Sequence, residues 1–493
     1  MPTDIYGDQY FATDTPDHLI DRCEREIQTW GTTTTGNTMF SRILEAYWRN
    51  MAAYYSCLIE PNSYDTALGF TGEKGELVRL LIPKARTLIR QFVAIATRQR
   101  YAFDVVTDIN DATPMETARL GKAIANSEVE KHSLDMMAER ICEGVAVKGQ
   151  VWVSNTWATD RGEIWGKGVD NSIIYTGGNR WEIHDLHDVI FNWGHSSTDD
   201  LEWIIIKRRY NRWNLIAQFP EMAEQIRGLP TVRSERMLFP VFNYMATMDD
   251  QDFVYVREFY HKPTPALPFG RMCVYCNHDT VFYDGKNKYG CIPAQLFRFQ
   301  NLDSTLLGYP MLSSLLPAQQ MLDHEVSVIS TNHSAFGVQS VLVPKGSDIS
   351  AIDIKEGTNF IQYTPQNAEG GGKPEPMQLT ATPAEFFNFI QTLGGFLDEV
   401  SMINSTLRGQ PPANVTSGAM AATLAAQALE FINSDTKGLT IGIEKLMTRS
   451  IENYKLFENA EQIIDVVGEG NTSSVQTFQA QSIGGIKKVK CRV

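Results

Sequence analysis

The sequence predicts an α+β fold. Apolar residues recur at helical spacing through the first third and again beyond residue 310, whereas the stretch between 150 and 300 alternates in β-branched and aromatic residues. Composition agrees with a packed globular chain, 43% of residues being hydrophobic and 21% charged. At roughly 100–200 residues per domain, a chain of 493 residues is expected to form about three domains.

The first elements are helices. Asp17–Trp30 follows Pro16, which suits a first helical turn. Met39–Tyr55 places Met39, Ile43, Leu44, Tyr47, Met51 and Tyr54 at helical spacing. Leu77–Tyr101 reads as a helix kinked or started at Pro83, and Met115–Val147 as one long helix ended by Gly149. Strands follow at Gln150–Thr159, Ser172–Tyr175, Arg180–His184 and Leu201–Arg209, with a short helix at Asn211–Gln225. Phe253–His261, Arg271–Asn277, Thr280–Tyr283 and Ala294–Phe299 complete the β-rich region.

Helix returns at Met311–Ala335, with Pro317 in its first turns and Gly337 at its end. Residues 338–380 are short strands and loops, including β-prone Gln339–Pro344 and Asn359–Thr364 and the flexible linker Glu369–Lys373. Pro383–Leu407 is a helix with Pro383 as its start signal. Arg408–Ser417 is irregular, because Gly409, Pro411 and Pro412 break it, and Thr416 and Ser417 suit the cap of the next helix. That helix, Gly418–Phe457, is long and loosened at Gly438 and Gly442. Ile463–Val493 alternates weakly, like strand.

Lys and Arg number 44 against 58 Asp and Glu, a net charge of −14. Such a balance argues against gripping duplex nucleic acid by broad phosphate neutralisation, but it does not exclude a protein that encircles DNA without gripping it. Seven cysteines, an odd number over a long chain, do not make a disulfide framework, so a reducing compartment is expected. Residues 1–20 lack a basic region and an apolar run, and no stretch of about 18 apolar residues occurs. A soluble protein, intracellular or assembled inside a cell, and without membrane contact, is expected.

Two groups suggest chemistry. Cys273-Val-Tyr-Cys276, with His278 and Cys291 nearby, offers thiols at a spacing zinc sites use. Val and Tyr between them favour strand, where residues i and i+3 point to opposite faces, so a β-hairpin with buried thiols and Asp284-Gly285 near its turn is the competing reading. His184, His187 and Asp188 crowd one segment, yet they flank a Val-Ile-Phe run that reads as strand. Phosphate-binding loops, dinucleotide fingerprints, nucleophile elbows and zinc-protease motifs are absent from the sequence. The basic run Arg79, Lys84, Arg86, Arg90, Arg98 and Arg100 has no acid between Leu77 and Ala102, and fits a helix that partners acidic surfaces better than one that binds nucleic acid.

From Leu306 onwards the order of elements is distinctive. Gly308-Tyr-Pro-Met-Leu-Ser-Ser-Leu-Leu316 enters a helix, a small β-rich insertion follows, and a second helix leads through a Gly/Pro loop and Thr416-Ser-Gly-Ala419 into a long helix. This order resembles the portal, or head-to-tail connector, proteins of tailed bacteriophages. Earlier segments are similar too: Ala146–Gly162 resembles the family's helix-to-strand entry into the wing, and Asp188–Pro220 its strand–strand–helix element.

The resemblance implies a portal-like subunit with an α/β wing, a two-helix stem, a small β-rich clip, a tunnel loop and a long kinked helix. On this chain those are an N-terminal region and wing at 1–305, stem helices at 306–337 and 382–407, the clip at 338–381, the tunnel loop at 408–417, a long wing and crown helix at 418–458, and a β-prone tail at 459–493. A further helical crown would be missing, reduced or lost to truncation. The implied function is structural: a ring of twelve subunits at one capsid vertex, through which double-stranded DNA is packaged and ejected. Implied partners are a separate terminase motor, the major capsid protein and a tail adaptor, and the implied location is the virion, with host cytoplasm during assembly. The clip strands would pair with a neighbouring subunit. Arg408, Gln410, Asn414 and Thr416 would touch DNA in the tunnel loop, and no cofactor, metal or catalytic residue is implied. Between Asn301 and Ser417 eleven acids face four bases, which suits a channel that repels phosphate. The competing reading is a metal-dependent enzyme built on Cys273/Cys276 and His184/His187.

Overall fold

The computed structural model describes residues 10–12, 15–31, 39–55, 68–69, 79–98, 100–107, 114–167, 173–192, 195, 197–233, 237–239, 244–246, 249–250 and 252–302. It continues with 305–337, 339–345, 358–364, 375–376, 383–403, 407, 417–457, 462–467, 473–478 and 483–492. The fold is α+β, as expected.

The helices are α1 (Pro16–Gly31), α2 (Met39–Tyr54), α3 (Lys84–Ala96), α4 (Pro114–His132), α5 (Leu134–Lys148), α6 (Arg212–Gln218), α7 (Ala223–Gly228), α8 (Met311–Gly337), α9 (Ala384–Val400) and α10 (Gly418–Phe457). The strands used below are β1 (Ala102–Thr107), β2 (Gln150–Ala158), β3 (Gly178–His184), β4 (Val189–Phe191), β5 (Trp203–Asn211), β6 (Phe253–His261), β7 (Arg271–Asn277), β8 (Thr280–Gly285) and β9 (Ala294–Arg298). Later in the chain come β10 (Gln339–Pro344), β11 (Thr358–Tyr363), β12 (Glu375–Pro376) and β13 (Ile486–Arg492).

Two antiparallel sheets form the centre. One has the order β8-β7-β6-β5-β4, the other β9-β2-β3. Strand alternation turns Val151, Val153 and Trp181 towards a core of helices α3, α4, α5, α8 and α10. The opposite face of β2 and β3 meets the five-stranded sheet, where Trp152 packs with Phe191, Ile204 and Ile206. Helix α1 covers part of the larger sheet through Leu19, Ile20 and Cys23, and α6 and α7 cover another part through Leu215 and Ile226. The order of layers explains why Trp203–Ile206 is buried without alternation: both faces of that sheet are covered.

Several predicted boundaries move, each for a local reason. The helix expected over Leu77–Tyr101 is confined to α3, which starts after Pro83, and Arg79–Leu80 is a short strand. Side chains of α8 bind this stretch instead: the Gln319 carboxamide accepts from the Ala85 amide in the first turn of α3 (2.9 Å), Asp323 accepts from that of Ile82 before Pro83 (2.9 Å), and Ser327 Oγ from that of Leu80 (3.0 Å). These three residues lie one helical turn apart, so one stripe of α8 satisfies amides of the lead-in that Pro83 keeps out of helix and one in the first turn of α3, where amides have no partner within the helix. The long helix expected over Met115–Val147 divides into α4 and α5 at Ser133, which is left-handed at φ 49°. Pro220 likewise divides the helix expected at Asn211–Gln225, while Asn211 caps α6 by accepting from the amides of Trp213 and Asn214.

Gly149 ends α5 at φ 88°, as expected of a C-terminal glycine, and lies against Gly308. The glycines at 438 and 442 do not interrupt α10, which is continuous over 40 residues. They admit β9 instead: a Cβ on Gly438 would stand 2.5 Å from the Arg298 carbonyl oxygen, and one on Gly442 2.4 Å from the Phe297 ring. After Phe457 the chain is β, as expected. Gln462–Val467 pairs with Ser473–Phe478, and β13 returns to pair antiparallel with β1.

Candidate functional site

Helices α8 and α9 pack against each other with the β insertion at one end. Their directions follow from α3. Asp323 binds the Ile82 amide, and Lys84 Nζ binds the Gly394 carbonyl (2.7 Å) and Asp398 (3.3 Å). Asp323 lies fourteen residues before Gly337 and Asp398 fourteen after Ala384, so the helices run antiparallel over matched lengths. Lys84, the second residue of the predicted basic run, thus pairs with an acid of α9, and Arg86 lies over the Tyr54 and Tyr55 rings of the α2 end.

Within the insertion, β10 pairs with β11 in parallel, Gln339 opposite Thr358 through Pro344 opposite Tyr363. β12 adds antiparallel to β10. The three strands thus form a small sheet within this chain. Helix α9 ends at Val400, seven residues before the predicted Leu407. Met402 turns left-handed at φ 61°, and Ile403 goes fully into the helical core; burial of that side chain competes with continuing the helix. Arg408, Gln410, Asn414 and Thr416 lie outside the described residues. At the far side of that loop Ser417 Oγ accepts from the Met420 amide (3.2 Å), the expected cap of α10.

Helix α9 buries a narrow stripe, Leu393 and Leu397 with Ile390 beside them, and leaves apolar residues outside it. Phe389, Phe396 and Val400 share one flank and are 39%, 49% and 44% exposed. On α10, Phe431 is 67% exposed.

The thiols of Cys273 and Cys276 do not converge. Cys273 is in the cluster that holds Phe11, Leu19 and Cys23, and Cys276 is on the opposite face of β7 with Leu215 and Ile226. Burial pushes both thiols up to about 12. The hairpin exists, but its turn is His278-Asp279; Asp284 and Gly285 pair within the ladder with Cys273 and Met272. His184 is buried, its Nε2 2.7 Å from Ser154 Oγ. Burial, helped by the charge of Arg208, lowers its pKa to about 3, so the ring is neutral at pH 7. Its neighbour Asp185 binds Lys148. His187 lies in the turn between β3 and β4, with its side chain outside the described residues. No cluster of three or more metal-ligating side chains occurs among the described residues.

Sequence reading missed the polar core. Arg208 of β5 crosses between the sheets to Ser154 Oγ (2.8 Å), with Glu182 and Glu258 each 3.3 Å from its Nε. Tyr210 and Tyr260 donate to Glu258. Burial disfavours the cation, yet Glu258, Tyr210, Glu182 and Tyr260 together outweigh it and hold the guanidinium firmly protonated. A signal existed: in Trp203-Ile-Ile-Ile-Lys-Arg-Arg-Tyr, alternation puts Arg208 on the face of Ile204 and Ile206, where a cation requires carboxylates.

Beside this core opens a cleft of about 1200 Å³. Arg180 on its wall is held bidentate by Asp160 (2.7 and 2.8 Å). Lys207 and Arg209, on the other side of β5 from Arg208, both lie over the Tyr255 ring, 5.6 and 5.9 Å from its centroid.

No helix among the described residues is long and apolar enough to cross a membrane. Compared with protein-family models and with curated proteins, the sequence matches none.

Proposed function

We propose that the chain is a portal-type subunit, one of a ring at a capsid vertex that joins capsid to tail and passes double-stranded DNA during packaging and ejection. The observation that carries this reading is the antiparallel pair α8 and α9, joined at one end by a small sheet and followed, past the loop, by a 40-residue helix. The exposed apolar flank of α9 supports it, because a ring covers such a flank with the next copy of the chain. Cyclic rings join one face of each copy to a different face of its neighbour. Expected partners are a terminase motor, the major capsid protein and a tail adaptor, and the expected location is the virion.

The loop at 408–417 is assigned to the channel wall, with Arg408, Gln410, Asn414 and Thr416 touching DNA transiently. Native mass measurement tests the reading. Twelve chains of 55.4 kDa give a particle near 665 kDa, seen end-on as a ring by negative stain. A chain that stays monomeric at micromolar concentration under every ionic condition overturns it. Removing Gln410–Asn414 then separates assembly from DNA handling: rings are expected to form normally while genome retention or packaging fails.

A further inference from the structure

Side chains of a β-strand alternate between two faces, so a cavity on one face meets every second residue. The cleft beside the polar core breaks this rule twice. Five consecutive residues of β3, Arg180 to His184, line it, and so do five of β5, Lys207 to Asn211. Consecutive residues line one space where that space lies against the edge of the strand.

The pairing agrees. β3 is the last strand of its sheet and pairs only with β2 among the described residues. β5 is flanked on one side by β6 along its whole length, but β4 covers only Ile204 to Ile206 on the other. From Lys207 to Asn211 one edge of β5 therefore has no neighbouring strand among the described residues. The chain leaves that lane because Leu186–Asp188 forms a short 3-10 turn connecting β3 to β4.

Charge selects what fits the lane. Arg208 and Arg180 are neutralised by Glu182, Glu258 and Asp160. Lys207 and Arg209 have no carboxylate partner among the described residues; they share the Tyr255 ring and point to the same face, two residues apart. A strand added beside them would place its residues i and i+2 opposite these cations, and opposite charges on paired strands attract. The lane is polar and cationic, not an apolar groove.

We propose that the edge of β5 from Lys207 to Asn211 is a docking site for an extended peptide segment of a partner protein, which adds to the five-stranded sheet in line with β4 and carries carboxylates at positions i and i+2. Main-chain hydrogen bonds supply the attachment, and the Lys207/Arg209 pair supplies the choice of sequence.

The test uses the full chain and the fluorescent heptapeptide Thr-Val-Glu-Val-Glu-Val-Thr. Anisotropy is expected to show saturable binding in the range of about 10–100 μM, as for weak strand addition. The same peptide with Lys for Glu is expected to bind at least tenfold more weakly. Two N-methylated versions, with methyl groups on alternate amides in either phase, separate strand addition from simple charge attraction: one phase should lose binding and the other keep it. The variant Lys207→Glu/Arg209→Glu should reverse the preference between the acidic and basic peptides, its fold checked by circular dichroism. Equal binding of the two methylated phases, equal binding of acidic and basic peptides, or no binding at 1 mM would overturn the proposal. So would self-association of the chain that this double variant abolishes, because the occupant would then be a second copy.

Discussion

Tyr454 of α10 donates a hydrogen bond of 2.8 Å to Glu128 of α4, across 326 residues of sequence. Asn179 of β3 donates to the other carboxylate oxygen (2.9 Å), and His132 stands 3.5 Å from it. Glu128 is thereby the point where a helix before the sheets, a strand within them and the long helix after them meet. The seam continues through Asn155, Asn453 and Ser450, all buried and hydrogen-bonded to one another or to Asn179. A buried network of this kind fixes the register of α10 against the three-stranded sheet, because sliding the helix would leave several polar groups unpaired.

Glu128→Ala is expected to destabilise the fold by about 3 kcal/mol or more, since three donors lose their acceptor in a dry site. Glu128→Gln is expected to cost less, because one oxygen still accepts. Burial raises the Glu128 pKa, yet His132, Lys131 and Tyr454 together outweigh it, so the folded value lies below the ordinary one. The sign is that of a depressed carboxylate: its stabilisation is present above its ordinary pKa and is lost as pH falls towards the folded value. Denaturant midpoints of the wild type and Glu128→Gln, compared at pH 7 and pH 4, measure it; the gap between them should narrow at the lower pH.

His184 makes a second pH dependence, displaced upward. Its folded pKa of about 3 lies below the ordinary 6.5, so below pH 6.5 the unfolded chain binds a proton that the folded chain refuses. Stability attributable to His184 is full above that value and falls at up to about 1.4 kcal/mol per pH unit as acid is added. His184→Gln keeps a polar group near Ser154 and does not titrate. Its unfolding free energy is expected to be flatter than the wild type's between pH 6.5 and pH 5, above the range of ordinary carboxylates. Parallel curves in that interval would show that the ring is protonated in the fold.

Local pattern reached α8 and α10 well and failed where a distant segment decides. Met311–Gly337 and Gly418–Phe457 are long, periodic and bounded by proline, serine or glycine, so their ends are written locally. Leu80–Pro83 looks like helix in the sequence because the groups that hold it extended, Ser327 and Asp323 on the amides of Leu80 and Ile82, lie some 240 residues away. Gly438 and Gly442 look like weak points for the same reason: the strand that needs their missing side chains is elsewhere in the sequence. The buried ion cluster draws on residues 182, 208 and 258, which only strand pairing brings together. The opposed directions of Cys273 and Cys276, by contrast, follow from strand alternation alone.

The capture of Leu80–Ala85 by α8 is itself testable. Gln319 is buried, accepts from the Ala85 amide and donates to Asp323 (2.9 Å). Gln319→Ala therefore leaves a buried amide unpaired, a loss of about 1–3 kcal/mol. Hydrogen exchange is expected to localise the damage: protection should fall at Ile82 and Ala85 before it falls in α10. A uniform loss of protection along the chain would mean that this segment unfolds only with the whole.

The apolar flank of α9 tests assembly without touching the core. Phe389 and Phe396 are two turns apart, and Val400 is one turn further on the same side. The stripe through Leu393 and Leu397, which holds α9 to the chain, is separate from them, so polar substitutions on the flank should leave the subunit folded. Full burial of a phenylalanine is worth about 1.5–3 kcal/mol, and 1.4 kcal/mol is a tenfold change in an equilibrium constant. Phe389→Ser/Phe396→Ser is therefore expected to weaken each contact between neighbouring copies by a hundredfold or more. In a closed ring every contact carries the same loss, so assembly should collapse to monomers or short arcs over a narrow concentration range. Sedimentation of the variant beside the wild type, with circular dichroism and a melting temperature to show an intact fold, measures the effect. A single change on the other side of the helix, at exposed Gln391 (Gln391→Ser), is the control and should assemble like the wild type. If the phenylalanine variant forms particles of the same size and at the same concentration as the wild type, this flank faces solvent in the assembly and the ring contact lies on other surfaces.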